Sequence, residues 1–291
     1  IDSGTTNFGN SCKFIIKKYG DLVNKIYIKI TLPELIAPEN KFIKWVDDIG
    51  FAIIDKVTLS IGGTKIIEHT GEYMKIRSDL QNGSSVVKTM IGNTENLNRP
   101  TNSRIPSSTI YIPLMFWFCE DTSMSLPLIA LQHTDIELNV KLNNLDKLYI
   151  LLKEKTMVQP NYNYHGNDIT KKFDHIHVGF DYDFKEGTTL NKIPNNINIV
   201  NMNLLCNYVH LDKEERKDIS QKNHEILIEQ VQYVQPSSIQ IPPNVYSDRK
   251  SNILLNSLKY SVKSLIWTLQ WEVLKNYNNT FNYTDTPEFV S

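Results

Sequence analysis

Two apolar runs separated by a short polar turn, within residues 111–142, constrain the fold of this chain more than any other feature. In the first run large apolar residues leave almost no polar position, so both faces of an extended strand would need to be covered. An element that is apolar on both faces belongs in the interior of a packed β structure. The residues expected on its two faces are Ile112, Leu114, Phe116 and Phe118 on one side and Met115 and Trp117 on the other.

The second run alternates between apolar and polar residues. This period of two predicts a strand with one buried face and one solvent-facing face. Pro127 lies between the two runs and breaks any helix there. The apolar positions are Ile136, Leu138, Val140 and Leu142, and the polar ones are Glu137, Asn139 and Lys141.

The same alternation predicts strands along most of the chain. Residues 25–31 alternate, and Pro33 ends that strand. Residues 57–68 predict a hairpin, because Gly62 and Gly63 supply the positive φ angles that a tight turn demands. Further strands are expected over residues 145–158, 197–211, 225–234, 253–258 and 265–271.

Helical signals are few. Residues 42–48 are ambiguous and are interpreted as a helical turn that ends before Gly50. Residues 81–105 are rich in Asn, Ser and Thr, which predicts a surface loop with one helical turn. Spacings of three and four predict an amphipathic helix over residues 71–80. The positions expected on its inner face are Tyr73, Ile76, Arg77 and Leu80.

A second helix is predicted after residue 211. Asp212 is expected to be its N-cap, and Glu214 and Glu215 fall in the first turn, where the helix dipole favours anions. Short strands with Pro, Gly and Asn turns, and only two brief helices, indicate an antiparallel all-β sandwich.

Charge and cysteine content exclude several classes of function. The 31 basic residues nearly cancel the 32 acidic ones, so the chain lacks the positive field that coating of nucleic acid requires. Cys12, Cys119 and Cys206 are distant and odd in number, which disfavours a disulfide framework or a short-spaced zinc motif and favours a reducing compartment. Cys119 is interpreted as a packed residue. No apolar run has the roughly 18 residues of a membrane span, so membrane contact is expected to be indirect.

Several motifs, in their order along the chain, resemble the major capsid protein of the nucleocytoplasmic large double-stranded DNA viruses. Gly20-Asp21-Leu22, followed by KIYIKITLP, is similar to the strand after that family's GDL turn. VTLSIGGTKIIEHTG resembles its glycine hairpin. YIPLMFWFCEDTSMSLPLIALQHTDIEL resembles its aromatic strand and LPLIALQ segment. NYVHLDKEERKDISQKNHEILIEQVQY is similar to its linker helix and LIEQ strand, and VKSLIWTL to a later strand.

This resemblance implies a double jelly roll that assembles as a homotrimer with a pseudo-hexagonal outline. Such capsomers tile an icosahedral shell over an inner membrane. The implied partners are further copies of the chain, neighbouring capsomers and minor capsid proteins, with no direct nucleic-acid contact and only indirect membrane contact. The implied location is the virion capsid, assembled in the host cytoplasm. A penton or minor capsid protein of the same virus type is the alternative within this class.

The resemblance also implies a division of the chain. Residues 1–211 are expected to form the first jelly roll, without the family's usual N-terminal segment, which would precede Ile1. Residues 212–222 are expected to form the linker helix, and residues 223–291 the start of a second jelly roll, most of which would follow Ser291.

Two alternatives from other classes remain open. His175 and His177 stand on one side of a possible strand, with Asp181 four residues further on, and a metal-dependent cupin enzyme places an HxH pair on a jelly-roll strand in this way. No later strand offers a third histidine in a glycine-framed motif, so we expect no catalytic residue, cofactor or metal. The second alternative is a sugar-binding jelly roll, whose stacking surface would be Trp267, Trp271, Tyr277, Phe281 and Tyr283; the other interpretation of this cluster is core packing.

Overall fold

The computed structural model describes residues 2–81, 84–154, 180–182, 197–234, 236–238, 252–255, 258–270 and 278–283. Antiparallel strands dominate the part that it describes. The strands are β1 (Ser3–Gly4), β2 (Ser11–Ile15), β3 (Leu22–Leu32), β4 (Leu35–Ile36), β5 (Phe42–Trp45), β6 (Ile54–Ile61), β7 (Thr64–Thr70), β8 (Arg104–Ile105), β9 (Ser108–Pro113), β10 (Leu126–Pro127), β11 (Ile136–Leu142), β12 (Tyr149–Glu154), β13 (Phe180–Tyr182) and β14 (Asn201–Val209). The helices are α1 (Ile49–Ala52), α2 (Gly71–Leu80), α3 (Ser85–Met90), α4 (Glu95–Asn98), α5 (Trp117–Glu120) and α6 (Lys213–Gln221).

The first large sheet has the strand order β1-β2-β11-β6-β7. Its central strand β11 carries the alternation seen in the sequence. The four apolar side chains are buried, whereas Glu137 is half-buried and Asn139 and Lys141 are exposed. The predicted one-sided strand is therefore confirmed.

The second large sheet is organised by β3, which pairs with β14 on one edge and with β9 and β10 on the other. Ile26, Ile28 and Ile30 are buried against the first sheet, as the alternation predicted. The two sheets meet across the core, where Cys12 Sγ lies 4.0 Å from Met202 Sδ. The chain passes repeatedly from one sheet to the other, as in a jelly roll, so the predicted antiparallel sandwich is confirmed.

The segment before α1 differs from the sequence interpretation. Residues 42–45 form strand β5, which pairs with β12, and not a helical turn. Ile43 and Trp45 are fully buried, so pairing and burial together override the weak local pattern. The chain then reverses at Asp48, whose φ of 51° places it in the left-handed region before α1 begins.

The apolar run after residue 111 is a strand for only part of its length. β9 ends at Pro113, and one further backbone bond to β3 follows, from the Leu114 amide to the Ile26 carbonyl oxygen at 3.0 Å. The Cys119 amide then donates to the Phe116 carbonyl oxygen at 2.8 Å in the turn that forms α5. The prediction of one continuous strand is therefore wrong. The predicted faces are nevertheless correct, because Leu114, Phe116 and Phe118 are buried and Met115 and Trp117 are half-buried.

The glycine hairpin between β6 and β7 is confirmed. Gly62 and Gly63 have φ angles of 59° and 77°, and the strands pair from Lys56 with Thr70 to Ile61 with Thr64. β7 continues directly into α2. The Thr70 side chain caps that helix by accepting a hydrogen bond from the Tyr73 amide at 3.2 Å.

Helix α2 has the predicted bounds but buries a different face. Its buried residues are Gly71, Met74 and Ser78, and Leu80 is exposed. A Cβ on Gly71 would lie 2.1 Å from the Phe51 carbonyl oxygen, so the helix approaches α1 through its small residues. This close backbone approach, and not the apolar periodicity, sets the orientation of the helix.

The remaining connections also differ in part. The predicted loop over 81–105 contains α3, α4 and β8, and Ile91 and Leu97 are buried. Within the strand predicted over 145–158, β12 begins at Tyr149, and residues 155–158 lie outside the described residues, while β14 and α6 form within the segments predicted for them. The strands predicted over 225–234, 253–258 and 265–271 are absent from the described residues of those segments. Apolar composition alone does not make a strand where no neighbouring strand supplies a ladder.

His69 is a fully buried histidine in the core of this fold. Its ring stacks on Phe116, with 5.4 Å between ring centroids, and lies 4.8 Å from the Tyr73 ring. Neither ring nitrogen has a hydrogen-bond partner among the described residues. Burial, together with the nearby Arg77 charge, lowers the pKa of His69 from its ordinary 6.5 to about 4.

We predict that His69 makes the fold acid-sensitive. The folded chain binds this proton only near pH 4, whereas the unfolded chain binds it near pH 6.5, so stability is lost as the pH falls between these values. The loss from this group is about 3 kcal/mol. Urea unfolding of the wild type and of His69→Phe at several pH values measures it. The carboxylates titrate equally in both proteins, so equal pH slopes would contradict the prediction.

Candidate functional site

The described residues after β14 contact the sandwich in two places. The first contact is at the start of β3, and the second follows β7 and α2. Residues 210–283 therefore provide a junction at which the sandwich could be joined to further structure.

Asp21 fixes the first contact. It precedes β3, is buried, and its Oδ2 accepts hydrogen bonds from the Leu211 amide and from Arg216 Nη2, both at 2.8 Å. The Asp21 amide donates to the Val209 carbonyl oxygen at 3.0 Å. One carboxylate therefore holds both the end of β14 and the linker helix α6. The Arg216 guanidinium and the Leu211 amide hold the pKa of Asp21 below its ordinary value.

Gly20 explains why this turn approaches β14 so closely. A Cβ at this position would lie 2.7 Å from the Tyr208 Cβ and 3.2 Å from the Val209 carbonyl oxygen. Tyr208 in turn donates from its hydroxyl to the Lys17 carbonyl oxygen at 2.6 Å. At Gly20-Asp21 the backbone therefore approaches β14 closely, and the Asp21 carboxylate accepts hydrogen bonds from Leu211 and Arg216.

Helix α6 bridges the junction without a buried face. It has no buried residue, and its N-terminus is capped by the Asp212 side chain, which accepts from the Glu214 and Glu215 amides at 3.0 and 2.8 Å. The N-cap predicted from the sequence is confirmed. Apart from half-buried Ile219, the helix carries polar, exposed side chains, which is typical of a connection between structural units.

The second contact begins along β7. Gln230 donates from Nε2 to the Ile66 carbonyl oxygen at 2.8 Å. Tyr233 accepts from the Thr70 amide at 3.1 Å, and its hydroxyl lies 3.3 Å from the Glu68 carbonyl oxygen.

Beyond β7, the contact continues over α2 and the start of β12. Tyr283 donates to Glu72 Oε1 at 3.1 Å, and Asn278 donates to the carbonyl oxygens of Asp146 and Tyr149, each at 2.7 Å. Burial raises the pKa of the Tyr283 hydroxyl. An open groove of about 420 Å³ separates α2 from the later residues. It is lined by Ile76, Asp79, Leu80, Trp267, Thr268, Leu269 and Tyr283.

The predicted aromatic cluster is only partly brought together. Trp267 is exposed, Tyr283 is half-buried, and Phe281 packs against the core of the sandwich. Trp271 and Tyr277 lie outside the described residues. The core interpretation is therefore supported for Phe281 alone.

Exposed apolar side chains are concentrated after α6. A concentration of this kind marks a surface that associates with other protein. Those more than half exposed are Leu227, Leu254, Tyr260, Val262, Leu265, Trp267, Leu269 and Ile253.

The proposed metal ligands are not brought together by the part of the chain that the structure describes. His175 and His177 lie outside it, and Asp181 is known only as a backbone position in β13, paired with Lys153. Among the described residues no group of three His, Cys, Asp or Glu side chains could hold a metal ion. The metal alternative therefore stays a prediction.

The remaining histidines and the thiols form no catalytic arrangement within the described ranges. His133, His210 and His224 are exposed and lie apart from buried His69. The three thiols are free, and burial raises the pKa of Cys119 to about 12, as a packed and unreactive residue requires. No helix in the described ranges has the length and apolarity needed to cross a bilayer.

A family model described as the major capsid protein N-terminus matches residues 1–212. The chain belongs to this capsid protein family. Its relatives include capsid protein 1 of Acanthamoeba polyphaga mimivirus, which is 30% identical over 94% of this chain and 42% of that protein. The major capsid protein of Phaeocystis pouchetii virus is 26% identical over 97% of this chain and 56% of that protein. The chain thus spans about half the length of these relatives.

Solved structures share the fold of this capsid family member. A quasi-atomic model of the PBCV-1 virus capsid matches 78% of this chain and 44% of its own, with a TM-score of 0.55 and 22% identity. The Faustovirus major capsid protein matches 75% of this chain and 54% of its own, with a TM-score of 0.51 and 9% identity. The predicted fold class, an all-β jelly roll of the double jelly-roll capsid type, is confirmed.

Sequence reasoning found the capsid motifs but missed what their side chains do. Gly20-Asp21 was identified as a turn and Gln230 as part of a strand, and neither was expected to join distant parts of the chain. Asp21 and Arg216 are 195 residues apart. The sequence features that could have suggested this contact are the glycine before Asp21 and the arginine within the polar linker helix.

We predict that Asp21→Asn loosens the linker. The amide side chain keeps an oxygen for the Leu211 N–H but loses the charge that holds Arg216, so the Leu211 amide should exchange faster with deuterium and α6 should be cleaved sooner by protease. The wild type should lose the same protection in acid, as the pH falls through the lowered pKa of Asp21.

Asp218→Asn is the matched control for this experiment. It removes a carboxylate from the same helix, where Asp218 pairs with exposed Lys222 at 2.6 Å. Equal exchange at Leu211 in Asp21→Asn and Asp218→Asn would show that the Asp21 carboxylate does not hold the junction.

Proposed function

We propose that this chain is part of a non-enzymatic major capsid protein that forms the icosahedral shell of a large DNA virus. The observation that carries the proposal is the match of residues 1–212 to the capsid family. The junction supports it further, because its side chains are arranged to join structural units rather than to hold a substrate. Burial of the thiols agrees with a purely structural role.

The domain organisation belongs to the same proposal. Residues 1–211 are the first jelly roll, residues 212–222 the linker helix, and residues 223–291 the start of a second jelly roll. The end of the family match at residue 212 and helix α6, which has no buried residue, support these boundaries. The exposed apolar side chains after α6 agree with a sandwich to which further strands are added.

The protein assembles through its own copies. Three chains close into a pseudo-hexagonal capsomer, which contacts neighbouring capsomers and minor capsid proteins. The balanced charge of the chain disfavours direct contact with nucleic acid, and contact with an inner viral membrane is indirect. The free thiols agree with assembly in the reducing host cytoplasm, and the final location is the virion.

Measurement of the oligomeric state tests this function. Light scattering on the full-length protein that contains this chain should give the mass of three subunits, and negative-stain images should show a pseudo-hexagonal outline. Closed threefold symmetry buries the surfaces that a single subunit would expose. A stable monomer at micromolar concentration would contradict the proposal.

Elemental analysis tests the absence of a metal-dependent activity. We expect no stoichiometric metal in the purified protein. Bound metal that is lost in a His175→Ala, His177→Ala variant would instead support the cupin-like alternative.

A further inference from the structure

Strand β7 is an edge of the first sheet. It pairs with β6 on one side, and on the other side no strand of the described residues adds to it. An edge strand presents a row of backbone N–H and C=O groups that a strand of another chain can pair with. At seven residues, Thr64–Thr70, it is long enough to serve as such a template.

Side chains occupy three of the outward backbone groups of β7, namely the carbonyl oxygens of Ile66 and Glu68 and the amide of Thr70. Ile66, Glu68 and Thr70 share one parity along the strand, so their free backbone groups point to the same side. Gln230 Nε2 donates to the Ile66 carbonyl oxygen at 2.8 Å. The Tyr233 hydroxyl serves two groups, accepting from the Thr70 amide at 3.1 Å and lying 3.3 Å from the Glu68 carbonyl oxygen.

The segment that carries these two side chains is anchored on its other side. The Gln232 amide pairs with both backbone groups of Lys259, donating to its carbonyl oxygen at 2.8 Å and accepting from its N–H at 2.9 Å. Glu229 forms an ion pair with Lys263. These contacts hold residues 229–233 in place, so Gln230 and Tyr233 meet β7 in a fixed position.

We propose that Gln230 and Tyr233 guard the edge of β7 against pairing with β7 of a second copy of this chain. A side-chain cap on these three backbone groups offers no new ladder, so the sheet ends there. The guard therefore suppresses open-ended, edge-to-edge association. It acts within the folded chain whether or not that chain builds a shell.

A labelled peptide of sequence TKIIEHT, which copies residues 64–70, tests the proposal directly. The variant Gln230→Met with Tyr233→Phe removes the hydrogen bonds to β7 and keeps side-chain size. Fluorescence anisotropy should show that the peptide binds this variant and not the wild type, and light scattering should show concentration-dependent growth of the variant alone. Deuterium exchange of the Thr70 amide should be roughly five-fold faster in the variant.

Control variants distinguish loss of the hydrogen bonds to β7 from a general loss of stability. Gln132→Met with Tyr260→Phe makes the same chemical changes at exposed positions away from β7, and it should behave as the wild type. The single variant Tyr233→Phe, which keeps the ring, should already speed Thr70 exchange if the double variant folds poorly. The proposal is overturned if Thr70 exchange is unchanged, or if exchange rises without peptide binding. Neither result depends on whether the wild type forms a trimer.

Discussion

The backbone pairing of β3 is the constraint on which the rest of the structure depends. This strand pairs with β14 along its length and with β9 and β10 on its other edge, so it joins segments far apart in the sequence. Its N-terminal end places Asp21 beside Val209, and Asp21 then orients α6. The start and direction of α6 are therefore set by the register between β3 and β14.

The surroundings of two polar groups, Asp21 and His69, favour different protonation states. At the junction, Asp21 is satisfied by a charged partner and a backbone amide, and its charged form is favoured. In the core, His69 lies between aromatic rings with no hydrogen-bond partner among the described residues, and its neutral form is favoured. Both arrangements are kept at neutral pH and weakened in acid. The family motifs GDL and VTLSIGGTKIIEHTG thus contribute acid-sensitive groups at two separate places.

Local sequence patterns correctly predicted the features that depend on neighbouring residues. The alternation in β11 and the glycine pair after β6 were sufficient because burial and turn geometry act on neighbouring residues. The apolar run failed as a continuous strand because the chain turns into α5 after Phe116, although its burial pattern held. The inner face of α2 was wrong because contact between Gly71 and the Phe51 carbonyl group sets it. The bond between Asp21 and Arg216 could not be predicted, since it depends on the register of two strands and on the direction of a helix.

The length of helix α6 sets the direction in which the following residues leave the helix. An α-helix turns by about 100° and advances about 1.5 Å with each residue. Because α6 buries no side chain and is bonded to Asp21 through Arg216 near its N-terminus, a change in length after Arg216 would pass to the residues that follow. Adding or deleting one residue would therefore swing the later segment around the helix axis and carry Gln230 and Tyr233 away from β7. In this family member, the number of residues in an exposed helix determines which surfaces the subunit can present together.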